Sequence, residues 1–238
     1  MEQSIQMVVF DMAGTTVADN DYVARAFQDA FEINGMTIRR GMVNPLMGYH
    51  KPLAIQMVLE QLGVEFDAEL IEKIHDDFED AMVEFYMYAP EVTPLPGAEE
   101  LFLYLKEKGV HIALNTGFSK VIADTIINRF EWKERNLVDD HIGSNEVEMG
   151  RPYPFMIKEL MQRTGINDPQ CVAKVGDTTV DIEEGRNAGC RYIISVTTGA
   201  ATVEELEKMN PTHIVNSLEE IPAILQLAID NKQYIGNE

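Results

Sequence analysis

One pattern repeats along this chain: a short apolar run, a turn-forming break, then a stretch with helical spacing. The first run lies within Ile5–Phe10 and ends in Asp11. Others lie at His111–Asn115, Cys171–Gly176, Tyr192–Val196 and His213–Val215. Runs that are apolar on both faces are strands covered on both sides, as in the middle of a parallel sheet. Helical spacing follows at Lys120–Phe130, Pro154–Thr164, Val180–Ala188, Thr202–Met209 and Leu218–Asp230. Strand and helix in alternation predict an α/β protein with a parallel sheet and right-handed crossovers.

The alternation is interrupted once. Between residues 19 and 89 there are no strand candidates; Asp21–Asn34, Lys51–Leu62 and Ala68–Tyr88 carry apolar residues at i, i+3 and i+4. This is an all-helical insertion after the first strand. Its exits are Val17–Asn20 and the proline-rich PEVTPLPG of Pro90–Gly97, which read as hinges. The expected organisation is a core of residues 1–18 and 90–238 and a cap of residues 19–89, able to open and close over a site. A length of 238 residues suits a core carrying one insertion.

Forty acidic against nineteen basic residues give a formal charge of −21. No basic stripe exists to meet a phosphate backbone, so a nucleic-acid partner is not expected. An anionic small substrate needs a local positive field from a metal ion, an arginine or backbone N–H groups. Cys171 and Cys190 have no metal-type spacing and read as reduced core thiols. With no basic leader at the N-terminus and no apolar run of membrane-spanning length, the expected location is the cytoplasm, away from any membrane.

Open parallel sheets bind ligands at the carboxyl ends of their strands. Here those ends carry Asp11, then Asn115-Thr116-Gly117, then Gly176-Asp177-Thr178-Thr179 with Asp181 close behind; Gly150-Arg151-Pro152 precedes a helix. Neighbouring carboxylates form a hard-oxygen Mg²⁺ site. Thr116 and the N–H groups around Gly117 are placed to hold phosphate oxygens, and Arg151 to hold the same phosphate or brace the nucleophile. Asp11 is placed to attack phosphorus and form an aspartyl-phosphate. Any one such aspartate is more often a cap or turn residue; the ordered set is more specific.

That set resembles the haloacid dehalogenase superfamily of hydrolases, through DMAGTT, Thr116 in LNTGF, Arg151 in GRPYPF, and Asp177 and Asp181 in VGDTTVDIEEG. The resemblance implies a Rossmann-like core, an N-terminal helical cap and Mg²⁺. It makes Asp11 the nucleophile and a metal ligand, with the backbone oxygen of Ala13 and the Asp177 carboxylate as further ligands and Thr15 and Asp181 in support. Most phosphatases of the superfamily carry a second aspartate two residues after the nucleophile, general acid–base work worth about 10²–10⁴ in rate. Here that residue is Ala13. Either the reaction does without this acid, or another residue supplies it, or turnover has been lost. A C–P bond satisfies the first case. Its leaving group is a carbanion, which needs an electron sink such as a lysine imine.

The cap segment NPLMGYHKPLAI, with Met47, Gly48 and Lys51, resembles the phosphonoacetaldehyde hydrolase branch, as do GRPYP and VGDTTVDIEEGRNAG. In that branch a Schiff-base lysine stands three residues after the glycine, which is Lys51 here. The chain departs from the branch in two places: Ala54 stands for its histidine and Phe118 for its tyrosine. His50, beside Lys51, is either a replacement base in the substrate pocket or an ordinary polar cap residue. The expected function is Mg²⁺-dependent hydrolysis of the C–P bond of a 2-oxo-alkylphosphonate. The alternatives are a phosphatase for a small ester of phosphoglycolate or sugar-phosphate type, in which Lys51 only contacts the substrate, and a binding protein without turnover. A homodimer through the cap helices is an expectation from their apolar content alone. Trp132, alone in a charged segment, is expected to plug a surface or mark an interface.

Overall fold

A computed structural model describes residues 4–225 of the chain. The elements run β1 (Met7–Phe10), α1 (Tyr22–Ile33), α2 (Arg40–Val43), α3 (Lys51–Leu62), α4 (Ala68–Tyr88), α5 (Ala98–Glu107), β2 (His111–Thr116), α6 (Lys120–Arg129), β3 (Asp140–Gly143), α7 (Phe155–Thr164), β4 (Val172–Gly176), α8 (Thr179–Ala188), β5 (Tyr192–Val196), α9 (Val203–Lys208), β6 (His213–Val215) and α10 (Ile221–Leu225). The six strands form one parallel sheet in the order β3-β2-β1-β4-β5-β6. The strand order reverses at β1, which pairs with both β2 and β4: Val9 lies between Ala113 and Lys174. A crevice therefore opens at the carboxyl ends of these three strands. All four residues of β1 are buried, as strands covered on both faces require.

Three elements are additions to the sequence reading, the first being α2, a single turn too short to show a helical period. β3 has the sequence DHIG at a sheet edge. An edge strand is paired on one side only and so lacks the apolar run that marks a central one. α5 buries Ala98, Leu101, Phe102 and Leu105 at helical spacing; the prolines just before it hide its start. The helix expected at Leu218–Asp230 opens as a 3₁₀ turn at Leu218–Glu220 and continues as α10; its remainder falls outside the described residues.

The inserted helices hold together through aromatic contacts. Phe27 of α1 meets Phe31 at 5.4 Å and Phe78 of α4 edge-on at 5.7 Å between ring centroids. Asp67 caps α4 by accepting from Leu70 N–H at 3.0 Å, and α3 stops at Gly63 with a left-handed φ of 66°. α4 also packs on α6 of the core. The two chain connections run side by side: Ala18 N–H donates to Thr93 O (3.0 Å) and Leu95 N–H to Thr16 O (2.9 Å).

Trp132 is not at a surface. It is fully buried, edge-on to Phe102 at 5.4 Å, and donates to Glu99 Oε1 at 2.8 Å. Glu131 takes a left-handed φ of 54°, which turns the chain so that the indole goes inward. Cys171 and Cys190 are both buried. Among the described residues no helix is long and apolar enough to cross a membrane.

Candidate active site

The loop after β1 is built around Asp11. Its N–H donates to Val175 O of β4 at 2.9 Å, which fixes the backbone at the strand end. Thr16 Oγ1 donates to the Asp11 carbonyl (2.9 Å) and Thr15 Oγ1 to the Asp177 carboxylate (3.0 Å). Gly14 sits at φ 84°, and a Cβ there would fall 2.7 Å from Asp177 Oδ2. A Cβ on Gly199 would fall 1.9 Å from the same oxygen, and Ala200 N–H donates to it at 2.7 Å. Two loops without side chains thus cradle the Asp177 carboxylate.

Beneath Asp11 lies a buried ionic network. The guanidinium of Arg151 donates to Asp11 Oδ1 (2.6 Å), Glu184 Oε2 (3.0 Å), and both the carbonyl (2.7 Å) and side-chain oxygen (2.6 Å) of Asn115. Lys174 Nζ donates to Asn115 Oδ1 at 2.6 Å. Asp181 Oδ1 lies 3.0 Å from both cations, and its other oxygen closes the N-terminal capping box of α8 with Thr178. Arg151, Lys174 and Glu184 are completely buried. Two cations among three carboxylates leave the group one charge negative. Arg151 therefore braces Asp11; among the residues that line the cavity above, it does not appear. The sequence reading missed Asn115 as a hub, and Lys174 and Glu184 altogether. A lysine inside an apolar strand run was the available signal, since a buried lysine must be paired.

Over the strand ends, Asp11, Ala13, Met47, Gly48, Lys51, Thr116, Gly117, Phe118 and Asp177 line one cavity of about 40 Å³. Lys51 begins α3 and is 2% exposed. Its Nζ lies 5.4 Å over the Phe118 ring and 5.9 Å from that of Phe78, and donates a long 3.4 Å hydrogen bond to Tyr49 O. Gly48 and Gly117 are contact points between the inserted segment and the core. A Cβ on Gly117 would lie 2.4 Å from Gly48 O and 2.5 Å from Tyr49 O; one on Gly48 would lie 2.6 Å from Thr178 Oγ1. His50 is turned away from the cavity lining and packs near Gly150. Asp19, which the sequence reading did not single out, does line the cavity.

Burial shapes the protonation of these groups. It pushes the Asp11 carboxyl up to about 6, against the pull of Arg151. Burial, then the charges of Asp11 and Asp181, hold the Asp177 carboxyl well above the usual range. Burial pulls the Lys51 ammonium down to about 8, with Asp11 the strongest charge opposing the fall. Burial works against the Asp181 charge too, but Arg151 and Lys174 outweigh it and hold that carboxyl low.

Among the described residues, no cluster of three or more His, Cys, Asp or Glu side chains is placed to hold a metal. The expected Mg²⁺ set needs fewer: two carboxylates, Asp11 and Asp177, and the carbonyl of Ala13, all from residues lining one cavity. These residues fit the ion. The donors are hard oxygens, hydrogen bonds from Thr15 and Ala200 hold the Asp177 carboxylate in place, and the two buried carboxylates disfavour each other's charge as neighbours of a cation would not.

The family model described as haloacid dehalogenase-like hydrolase matches residues 8–195. Phosphonoacetaldehyde hydrolase from Bacillus mycoides is 30% identical over 236 residues, covering 90% of this chain and 86% of that one. Among solved structures, a phosphonoacetaldehyde hydrolase-like protein from Oleispira antarctica superposes with a TM-score of 0.80 at 19% identity, covering 94% and 92% of the two chains. A predicted phosphoglycolate phosphatase from Haemophilus somnus gives 0.78 at 19% identity, covering 94% and 99%. A sheet that reverses at the strand bearing Asp11, helices inserted after that strand, and a sequence match over most of its length give one answer: the chain belongs to the haloacid dehalogenase-like hydrolases, in their phosphonatase-like branch.

Proposed function

We propose that this hydrolase cleaves the C–P bond of a small 2-oxo-alkylphosphonate of the phosphonoacetaldehyde type, with Mg²⁺ as cofactor. The observation that carries this reading is Lys51. It is a buried amine between two aromatic rings, in the same cavity as Asp11, with its pKa drawn down to about 8. At pH 7 about a tenth of such an amine is neutral, against a few parts in ten thousand for an ordinary lysine. A residue kept only to contact an anion would lose by that change. A nucleophilic amine gains.

In this reading the phosphonate group lies against Thr116 and the backbone N–H groups near Gly117, with its carbonyl carbon toward Lys51. The Lys51 amine condenses with that carbonyl and releases water. Asp11 then attacks phosphorus; the C–P electron pair moves into the iminium and forms an enamine. Water hydrolyses the Asp11 acyl-phosphate to phosphate and free carboxylate. The enamine carbon takes a proton from water to return to the imine, which a second water hydrolyses to the aldehyde and the free Lys51 amine. Arg151 holds Asp11 in line throughout by its 2.6 Å hydrogen bond. Mg²⁺ bound by Asp11, Asp177 and the Ala13 carbonyl would neutralise charge between the carboxylates and the substrate anion. No acid two residues after Asp11 is needed, which accounts for Ala13. The cavity holds only a few water molecules. We therefore propose that the inserted helices act as a cap that opens for substrate and closes for reaction.

The test is phosphate release with Mg²⁺ from phosphonoacetaldehyde, beside phosphoglycolate and sugar phosphates, for the wild type and Lys51→Ala. Release from the phosphonate, lost in the variant, is the expected outcome. Release from esters alone, surviving in the variant, would show that Lys51 is a substrate contact.

A further inference from the structure

The chain lacks the two groups that assist imine chemistry in its branch: Ala54 is buried and inert, and Phe118 offers only its ring. A neutral amine and a carbonyl still need a proton donor to lose water. Beyond Asp11 and Asp177, which the reading above uses for attack and for the metal, the cavity that holds Lys51 has one further carboxyl on its wall, Asp19. We propose that Asp19 is a catalytic residue, the acid–base group that delivers and recovers the proton as Lys51 forms and breaks its imine. This rests on the Schiff-base reading above.

The placement suits the task. Asp19 lies on the connection from β1 to α1, and its Oδ1 accepts from Val23 N–H at 2.9 Å, which ties the side chain to the first turn of α1. That hydrogen bond uses Oδ1 only, and the residue lines the cavity. A second cavity of about 300 Å³ shares Asp19, Met47 and Ala200 with the first. Asp19 therefore stands between the reaction space and a larger one, where a proton taken up on one side can be exchanged on the other. Its charged neighbours are Asp21 and Arg25 on the α1 side and Lys51 on α3. Burial raises its carboxyl above the ordinary value, which favours the protonated form an acid needs. On α4, the Tyr86 hydroxyl is buried without a hydrogen-bond partner, and Asp19 is the charge it senses most. An unpaired phenol in that corner is a second sign that a polar ligand completes it.

The step balances as follows. The Lys51 nitrogen lone pair forms the C–N bond and the carbonyl π pair moves to oxygen. The amine proton passes to that oxygen to give the neutral carbinolamine. Asp19 then donates its proton to the hydroxyl, which leaves as water as the C=N bond forms. Aldehyde, amine and carboxylic acid become iminium, water and carboxylate. Hydrolysis at the end of the cycle runs the same transfers backward and returns the proton to Asp19.

The experiment traps the imine. Full-length protein is mixed with Mg²⁺ and phosphonoacetaldehyde, reduced with sodium borohydride at timed intervals, and mapped by peptide mass spectrometry. The wild type is expected to carry the reduced adduct on Lys51. Asp19→Asn keeps an oxygen for Val23 N–H but cannot carry the proton. It should trap and turn over about 100-fold more slowly, with KM little changed. Asp19→Ser removes the carboxyl but keeps a small polar side chain and should show the same loss, partly restored by added formate. Wild-type trapping rates in either variant overturn the role of Asp19 and leave that of Lys51 standing. No Lys51 adduct in the wild type overturns both. Phosphoester hydrolysis that depends on Asp19, without any adduct, would make Asp19 the acid of an esterase and likewise overturn the proposal.

Discussion

Replacing Arg151 by methionine asks whether Asp11 is held by the network beneath it. The side chain is fully buried and gives hydrogen bonds to Asp11, Glu184 and twice to Asn115, with Asp181 in ion-pair range. Methionine fills similar space but removes one of two cations facing three carboxylates. Lys174 still pairs with Asp181 and Glu184, so Asp11 is the acid that loses its only ion-pair partner among the described residues. Breaking a buried pair costs about 3–5 kcal/mol. At about 2–4 °C per kcal/mol for a chain of this size, the melting temperature should fall by roughly 6–20 °C. The loss should depend on pH. With Arg151 gone, the folded-state pKa of Asp11 rises further above its unfolded value, so the folded variant binds more protons there than the unfolded chain. Its stability then falls as pH rises. The deficit against wild type should be smaller at pH 5 than at pH 7.5. Thermal melts at both pH values measure this. A variant that melts with the wild type, or whose deficit does not change with pH, would refute the idea that Arg151 balances this charge.

Other outcomes follow from the same geometry. Gly117→Ala puts a methyl group 2.4–2.5 Å from two backbone oxygens of the inserted segment; turnover should fall by about 10² as closure is displaced, with the melting temperature nearly kept, and an unimpaired variant would show that the contact is not needed for reaction. For the wild type, kcat/KM should rise with pH through about 6 as Asp11 ionises and again toward about 8 as Lys51 loses its proton; a profile flat between pH 5.5 and 9 would count against both roles. Chelation should abolish phosphate release. Mg²⁺ at about a hundred times its Kd should stabilise the protein by about 2.7 kcal/mol, a rise of roughly 5–11 °C that Asp177→Asn should lose.

The strand-end residues were readable from the sequence because each follows an apolar run directly. Asp11, Thr116 and Asp177 lie where a parallel sheet must place them, and α3 and α4 have the bounds their spacing predicts. What tertiary pairing creates was not readable. Asn115 meets Lys174 across β2, β1 and β4, and Glu184 from α8, with nothing local to mark the partnership. β3 escaped because an edge strand needs little apolar character. Asp19 escaped because it stands in a connecting segment, and only the fold of the helices over the sheet turns it toward Lys51. His50 shows the converse: adjacency to Lys51 in sequence does not carry it into the cavity, since neighbours on the first turn of a helix point in different directions.

The meeting of Gly117 with the carbonyls of Gly48 and Tyr49 has an evolutionary reading. The two parts touch there through main chain, where no side chain records the fit. Mutations elsewhere on the underside of the inserted helices can then accumulate without disturbing how deeply they seat. A lineage could exchange Met47, Phe118 or Asp19 and explore new leaving groups while the seal over Asp11 stays intact. Such a seam separates the inheritance of chemistry, kept in the sheet, from the inheritance of selectivity, free to drift above it.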